Sequence, residues 1–124
     1  MRISRSGDCG NSPKNQFVED IAISLADRDA SAFEENLTDD FRWIRAGEAV
    51  SRGKDAFLKY LEEERAAEAI KIFHVSSHGN IGAANGEIAR ASGDVAFCHV
   101  VEFSSATGST IKTITSYLIP MSYR

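Results

Sequence analysis

Two cysteines, two prolines and one tryptophan among 124 residues are low counts, and each scarcity excludes something. Cys9 and Cys98 cannot build a disulfide framework, so the cytoplasm is the expected compartment. Without a Pro/Gly-rich stretch or an internal repeat there is no linker to divide the chain, and its length is that of one domain. Positive charge is also short: 14 Lys and Arg against 18 Asp and Glu, a formal charge of −4. Binding to nucleic acid needs clustered positive charge, so nucleic acid is not an expected partner. The apolar runs fall far short of the ~20 residues a membrane helix requires, and Met1-Arg2-Ile3-Ser4-Arg5 leads into no apolar stretch of the kind a secretory signal carries. A membrane is not expected either.

What the chain does have is 43% hydrophobic and 26% charged residues, a globular balance. The charge is unevenly placed. Residues 1–68 hold 15 acidic and 10 basic side chains, whereas residues 69–124 hold 3 and 4, with all three histidines. A charged first half and a nearly neutral, β-branched second half imply helices followed by a sheet, the α+β class.

Hydrophobic periodicity agrees. Residues 1–11 show none and read as a flexible N-terminal tail before a single domain over 12–124. Ser12-Pro13 is an N-cap with Pro at the first helical position. Phe17, Ile21 and Leu25, with Val18 and Ala22 beside them, stripe one face of a helix ending near Arg28. Asp29 can cap a second short helix with Phe33 and Leu37 inward. A strand at Phe41–Arg45 and a loop or hairpin at 47–53 come next. A third helix runs from Lys54 to about Ala67, with Phe57, Leu58 and Leu61 inward. From Ile70 the period becomes two, and strands are expected at 70–77, 85–91, 95–105 and 110–121, joined by short glycine-containing turns that favour antiparallel hairpins. The last two strands are apolar on both faces. A sheet with one wet face would alternate, so helices are expected on one face and a second subunit on the other.

Several segments now carry a resemblance: Leu37-Thr38-Asp39-Asp40-Phe41, Gly53-Lys54-Asp55-Ala56-Phe57, Val101-Glu102-Phe103 and Ile111-Lys112-Thr113-Ile114-Thr115-Ser116-Tyr117. Over about Pro13 to Met121 the chain resembles the nuclear transport factor two-like superfamily, which includes SnoaL-like polyketide cyclases and ketosteroid isomerase. His78-Gly79, Gly82-Ala83-Ala84-Asn85-Gly86 and Phe97-Cys98 are similar to a subgroup of bacterial members with no assigned activity. The resemblance implies a cone-shaped, cystatin-like α+β fold: three N-terminal helices packed in a strongly curved mixed, mostly antiparallel sheet around an apolar pocket. It also implies a homodimer through the outer sheet face. The superfamily hosts isomerases, cyclases, dehydratases, epoxide hydrolases and non-catalytic proteins, so function must be argued from the site.

Ketosteroid isomerase uses an Asp base with a Tyr and a protonated Asp around the dienolate oxygen. Matched motif by motif, those positions fall at Arg45, Ile21 and His99 here. An arginine accepts no proton, so that mechanism is not expected. The same match proposes a different pocket. Trp43 and Arg45 share a strand face with Phe41. His99 lies inward with Phe97, Val101 and Phe103, and Ile114, Ser116 and Leu118 face it from the last strand. A four-residue loop Ala106–Ser109 would set His99 directly across from Ser116. Ile21 and Tyr60 complete the expected lining from the helices. In this pocket His99 is the candidate acid or base, Arg45 an anchor for an anionic or carbonyl oxygen, and Trp43 a platform for an apolar body. Each has a plain alternative: an arginine reaching water, a core histidine bonded to Ser116 alone, a core tryptophan.

Two functions remain open: an enzyme of isomerase, cyclase or dehydratase type acting on an oxygenated or acidic organic substrate, or a non-catalytic ligand-binding or interaction module. Burial of His99 separates them, because a sealed histidine leaves the enzyme without its base. Neither metal nor cofactor is expected. On a strand His74 and His78 are ~13 Å apart, too far to share an ion. Cys98 and His99 point to opposite faces, so they form no dyad. The 79–86 stretch lacks the helix and Lys-Ser/Thr of a phosphate loop.

Overall fold

The computed structural model describes residues 1–122. Seven strands form one sheet: β1 (Arg2–Ser4), β2 (Leu37–Arg45), β3 (Ala49–Arg52), β4 (Ala69–His78), β5 (Ile81–Ala89), β6 (Val95–Phe103) and β7 (Ile111–Pro120). Their order is β1-β4-β5-β6-β7-β2-β3. The sheet is mixed, with β1 parallel to β4 and β2 parallel to β7 and the other neighbours antiparallel. Two α-helices, α1 (Pro13–Asp27) and α2 (Lys54–Glu63), cover one face.

The expectation of three helices is corrected here. Ala30–Phe33 makes a single 3-10 turn, and Leu37, expected on a helix, opens β2. The segment is too short to nucleate an α-helix, a step that costs more than one turn returns. The turn's purpose is to bury Phe33, which meets Phe57 edge-on at 5.1 Å between ring centroids. Phe57 also touches Phe41 at 4.9 Å and Trp43 at 5.2 Å, so α2 is pinned to β2 through one ring. The third expected helix is real but stops at Glu63, short of Ala67.

Local sequence accounts for the start of α1 and, less usually, for its end. Ser12 Oγ accepts from the Asn15 amide. At the C-terminus the Asp29 amide donates to Ser24 O and the Arg28 amide to Leu25 O, with Arg28 in the left-handed region at φ 56°. This is a Schellman stop, whose left-handed position glycine ordinarily fills. In β4 a register shift between Ile72 and His74 leaves an extra residue opposite Gly86. A Cβ there would stand 1.9 Å from Lys71 O, so the bulge requires that glycine.

The first residues, expected as a flexible tail, are tied down. Arg2–Ser4 pairs in parallel with Ala69–Lys71 on the edge of β4. Beyond that pairing, Asp8 Oδ2 accepts from the Val75 amide and lies 3.3 Å from His74 Nδ1. The anchor is Glu19, 1% exposed. Its carboxylate accepts from the Ser6 amide and hydroxyl, Arg5 Nη1 and the Cys9 thiol. No sequence periodicity could have shown this, because the segment is held by one carboxylate and not by an apolar stripe. Cys9 is raised to about 11 by burial and by Glu19.

Burial raises the pKa of Glu19, but the four hydrogen bonds outweigh it and leave the carboxyl below its ordinary 4.5. Its contribution is therefore complete above 4.5 and is lost as pH falls through the lowered folded value. Glu19→Gln should cost about 2 kcal/mol at neutral pH, the scale of hydrogen bonds to a buried charge. Chemical denaturation of both proteins checks this: the gap between them should close in acid, and amide exchange at Ile3 and Ser4 should accelerate in the variant.

Candidate functional site

Three strands bring the site together. β6 and β7 pair with His99 opposite Ser116, and β7 and β2 pair with Ser116 opposite Arg45. The turn between β6 and β7 is longer than four residues, but a register shift between Glu102 and Phe103 absorbs the difference and preserves the expected His99–Ser116 pairing. Inward alternation along β6 then buries Phe97, His99, Val101 and Phe103 together.

Ser116 Oγ lies 2.8 Å from Trp43 Nε1 and 2.7 Å from His99 Nδ1. The indole N–H can only donate, so Ser116 accepts it. Ser116 has one proton of its own, and the partner in reach is His99 Nδ1. The arrangement that leaves the fewest buried groups unmatched is a chain from Trp43 to Ser116 to His99. It makes Nδ1 an acceptor and puts the imidazole proton on Nε2, which has no partner among the described residues. His99 is 3% exposed. Burial, with the Arg28 charge adding to it, lowers its pKa to about 3. An imidazole so placed is neutral across the physiological range and offers a hydrogen-bond donor. In that arrangement Nδ1 is occupied by Ser116, and the ring presents a donor to the space beside it.

Arg45 is held on an aromatic floor. Its guanidinium lies 5.1 Å from the Trp43 ring and 4.5 Å from the Tyr60 ring, and Nη1 donates to Tyr60 Oη at 3.2 Å. Such stacking orients the planar fork and leaves its other donors free. Above it opens a basin of about 350 Å³, bordered by Arg28, Arg45, Glu48, Tyr60, Arg90 and Leu118. A narrow throat of about 30 Å³ adjoins it, lined by Arg28, Trp43, Arg65, Arg90, His99 and Leu118. The two share Arg28, Trp43, Arg90, Val95 and Leu118.

Of the residues expected from sequence to line the pocket, Trp43, Arg45, Tyr60, His99 and Leu118 border these spaces. Ser116 stands behind them as the relay. Ile21, Val101 and Ile114 do not reach the cavity wall; each is sealed in the core. Phe33, Phe41, Phe57 and Trp43 are buried in the same core. Arg28, Arg65 and Arg90 were missed. They sit just after α1, α2 and β5 in segments with no periodicity, and no local motif joins them. Among the described residues, no group of three His, Cys, Asp or Glu side chains converges where a metal ion could sit.

No model of a known protein family matches the sequence, and no curated protein matches it. Solved structures do. An NTF2-like protein of unknown function from Burkholderia xenovorans superposes with a TM-score of 0.70 at 12% identity, over 90% of this chain and 88% of that one. One from Cytophaga hutchinsonii gives 0.62 at 23% identity over 85% and 98%. An epoxide hydrolase-like protein from M. tuberculosis gives 0.64 at 19% identity over 86% and 81%. The fold is the NTF2-like α+β fold, as the sequence resemblance implied. At these identities the likeness is one of fold, and the chemistry rests on the residues above.

The state of His99 is directly measurable. Its imidazole resonances should not titrate between pH 5 and 8, and the 15N shifts should report the Nε2–H tautomer. Because the folded pKa lies below the ordinary 6.5, stability is complete above 6.5 and declines as pH falls from there toward 3, by up to ~1.4 kcal/mol per pH unit. His99→Asn, which carries no titrating group, should flatten that slope in urea denaturation.

Proposed function

We propose that the protein is a small-molecule-binding domain whose ligand, an oxygenated or acidic organic molecule, enters the basin and presents an oxygen to His99. The observation that carries this reading is the relay from Trp43 through Ser116, which leaves a neutral His99 Nε2–H at the throat with no acceptor among the described residues. A buried donor without a partner costs ~1–3 kcal/mol, and a ligand oxygen removes that cost. Arg45 anchors the charged end, while Tyr60 and Leu118 meet the body. Ser116 acts through His99 as a positioning residue.

Of the two forms this can take, a sealed histidine without an available acceptor favours the non-catalytic receptor. The enzymatic form draws support from the epoxide hydrolase-like neighbour. In it His99 would polarise a carbonyl or oxyanion by hydrogen bonding and would accept no proton, so an isomerase, cyclase or dehydratase step would need its base elsewhere.

The quaternary part of the reading is a homodimer through the outer sheet face. There Tyr117 and Ile119 are 48% and 64% exposed, beside a shallow hollow of about 330 Å³ floored by Ala83, Ala96 and Cys98. Small side chains flanked by large apolar ones suit a facing copy of the same surface.

Native mass spectrometry of gently purified wild type and Arg45→Ala tests both parts. The expected result is a dimer that carries a small acid in wild type and none in the variant. A bound molecule retained by Arg45→Ala would overturn the site, and a monomer at micromolar concentration would overturn the interface.

A further inference from the structure

Four arginines border the basin and its throat, Arg28 and Arg90 lining both, Arg45 the basin and Arg65 the throat. Arg28 follows α1, Arg45 ends β2, Arg65 follows α2 and Arg90 follows β5. The whole chain is acidic, so this collar is not a by-product of composition. Among the described residues, none of the four guanidiniums comes within ion-pair distance of a carboxylate. Glu48 lines the basin, Glu64 acts on Arg28 from a distance, and Asp94 accepts from the Arg90 amide. Arg90 is tethered through Nε to Gly93 O, and Arg45 through Nη1 to Tyr60. Among the described residues Arg28 and Arg65 have no side-chain hydrogen-bond partner.

The second observation is where the unpaired donors lie. Among the described residues four buried side-chain polar atoms lack a partner: Arg28 Nε, Arg45 Nε, His99 Nε2 and Thr38 Oγ1. Three of the four belong to residues of the basin and its throat, and all three are nitrogens that donate. One of them, His99, is sealed at 3% exposure. The third observation is backbone. Arg28 is the only non-glycine residue at positive φ among those described. It occupies a helix-stop position where glycine would relieve strain. Burial lowers its pKa, and Arg90 and Arg45 repel it further. Strain, burial and like-charge repulsion at one side chain are what a binding residue tolerates when its partner is a ligand.

One carboxylate is satisfied by one bidentate guanidinium fork. Here two or more forks and an imidazole N–H face the same space. We propose, resting on the ligand-binding reading above, that the cavity takes a small organic dianion, a phosphate monoester or a dicarboxylate, gripped by Arg28, Arg45 and Arg65 with one oxygen reaching His99 Nε2. The throat, at about 30 Å³, admits a single small group such as one oxygen, so the organic body stays in the basin.

Trp43 is the only tryptophan and borders both spaces, so its fluorescence reports occupancy. Phenyl phosphate and succinate are titrated at low salt beside benzoate, a monoanion, and cyclohexanone, which is neutral. Dianions should bind at least about tenfold more tightly than benzoate, the scale of one charged hydrogen bond, and whichever of the two binds better identifies the headgroup. Arg28→Gly should lose that preference while its melting temperature in the absence of probe stays level or rises. Arg65→Gln, at an exposed side chain, should weaken dianion binding several-fold with no change in melting. Benzoate or cyclohexanone binding as tightly as the dianions would overturn the dianion assignment and leave the pocket standing. No fluorescence response to any probe would overturn both. A clear fall in melting temperature for Arg28→Gly, or unchanged dianion affinity in both variants, would make the collar structural and overturn the proposal.

Discussion

A hydroxyl less than 3 Å from two ring nitrogens holds the interior of this protein in one arrangement. Ser116 Oγ receives Trp43 from β2 and faces His99 on β6 while itself standing on β7. Three strands are thereby registered by a single side chain. The surrounding core is aromatic and aliphatic and would tolerate small slips, but a buried indole N–H and imidazole would not, because a slip of one residue turns their partner to the other face. Burying these groups costs stability unless all are matched. The relay matches every proton but one, and the unmatched one lies at the cavity.

That residual donor is what the proposed binding role rests on. A neutral histidine in an apolar core normally disperses both nitrogens among internal partners. Here one partner sets the tautomer and the other nitrogen is left for something outside the chain. The same division holds for Arg45, whose stacking on Trp43 and Tyr60 fixes the plane of the fork and leaves Nε free. Both residues are positioned by the sheet and its aromatic floor, which is the rigidity a site requires.

Much of this was legible in the sequence because strand alternation is strict. Period two through Phe97, His99, Val101 and Phe103, with Ser116 opposite, was enough to bring His99 and Ser116 into contact before any coordinates. Resemblance in a few short segments supplied the fold. What misled was element length and the extent of the core. The stretch after Asp29, with Phe33 and Leu37 on one face, reads as a helix but closes only one 3-10 turn at Ala30–Phe33, and Ile21, Val101 and Ile114, expected to line a pocket, are core. Hydrophobic pattern says which face is buried and not how much room is left inside it. Tautomer and protonation were equally out of reach, since they depend on a sub-3 Å partner and on the depth of burial, neither of which a pattern encodes.

The arginines were invisible for a different reason. Each lies one to two residues past the end of an element, where side-chain direction is set by the stop and not by a period. Arg28 makes the point in detail. The stop after α1 needs a left-handed residue, and a sequence reading looks for glycine there. Finding arginine instead looks like an imperfect cap. In the folded chain that position turns the side chain toward Tyr60, 5.6 Å from its ring, and into the wall that His99 also lines. A helix end that is locally suboptimal is then a consistent part of the structure once the cavity is considered. Local rules are broken here at the wall of the cavity, and the rest of the fold supplies the stability that permits it.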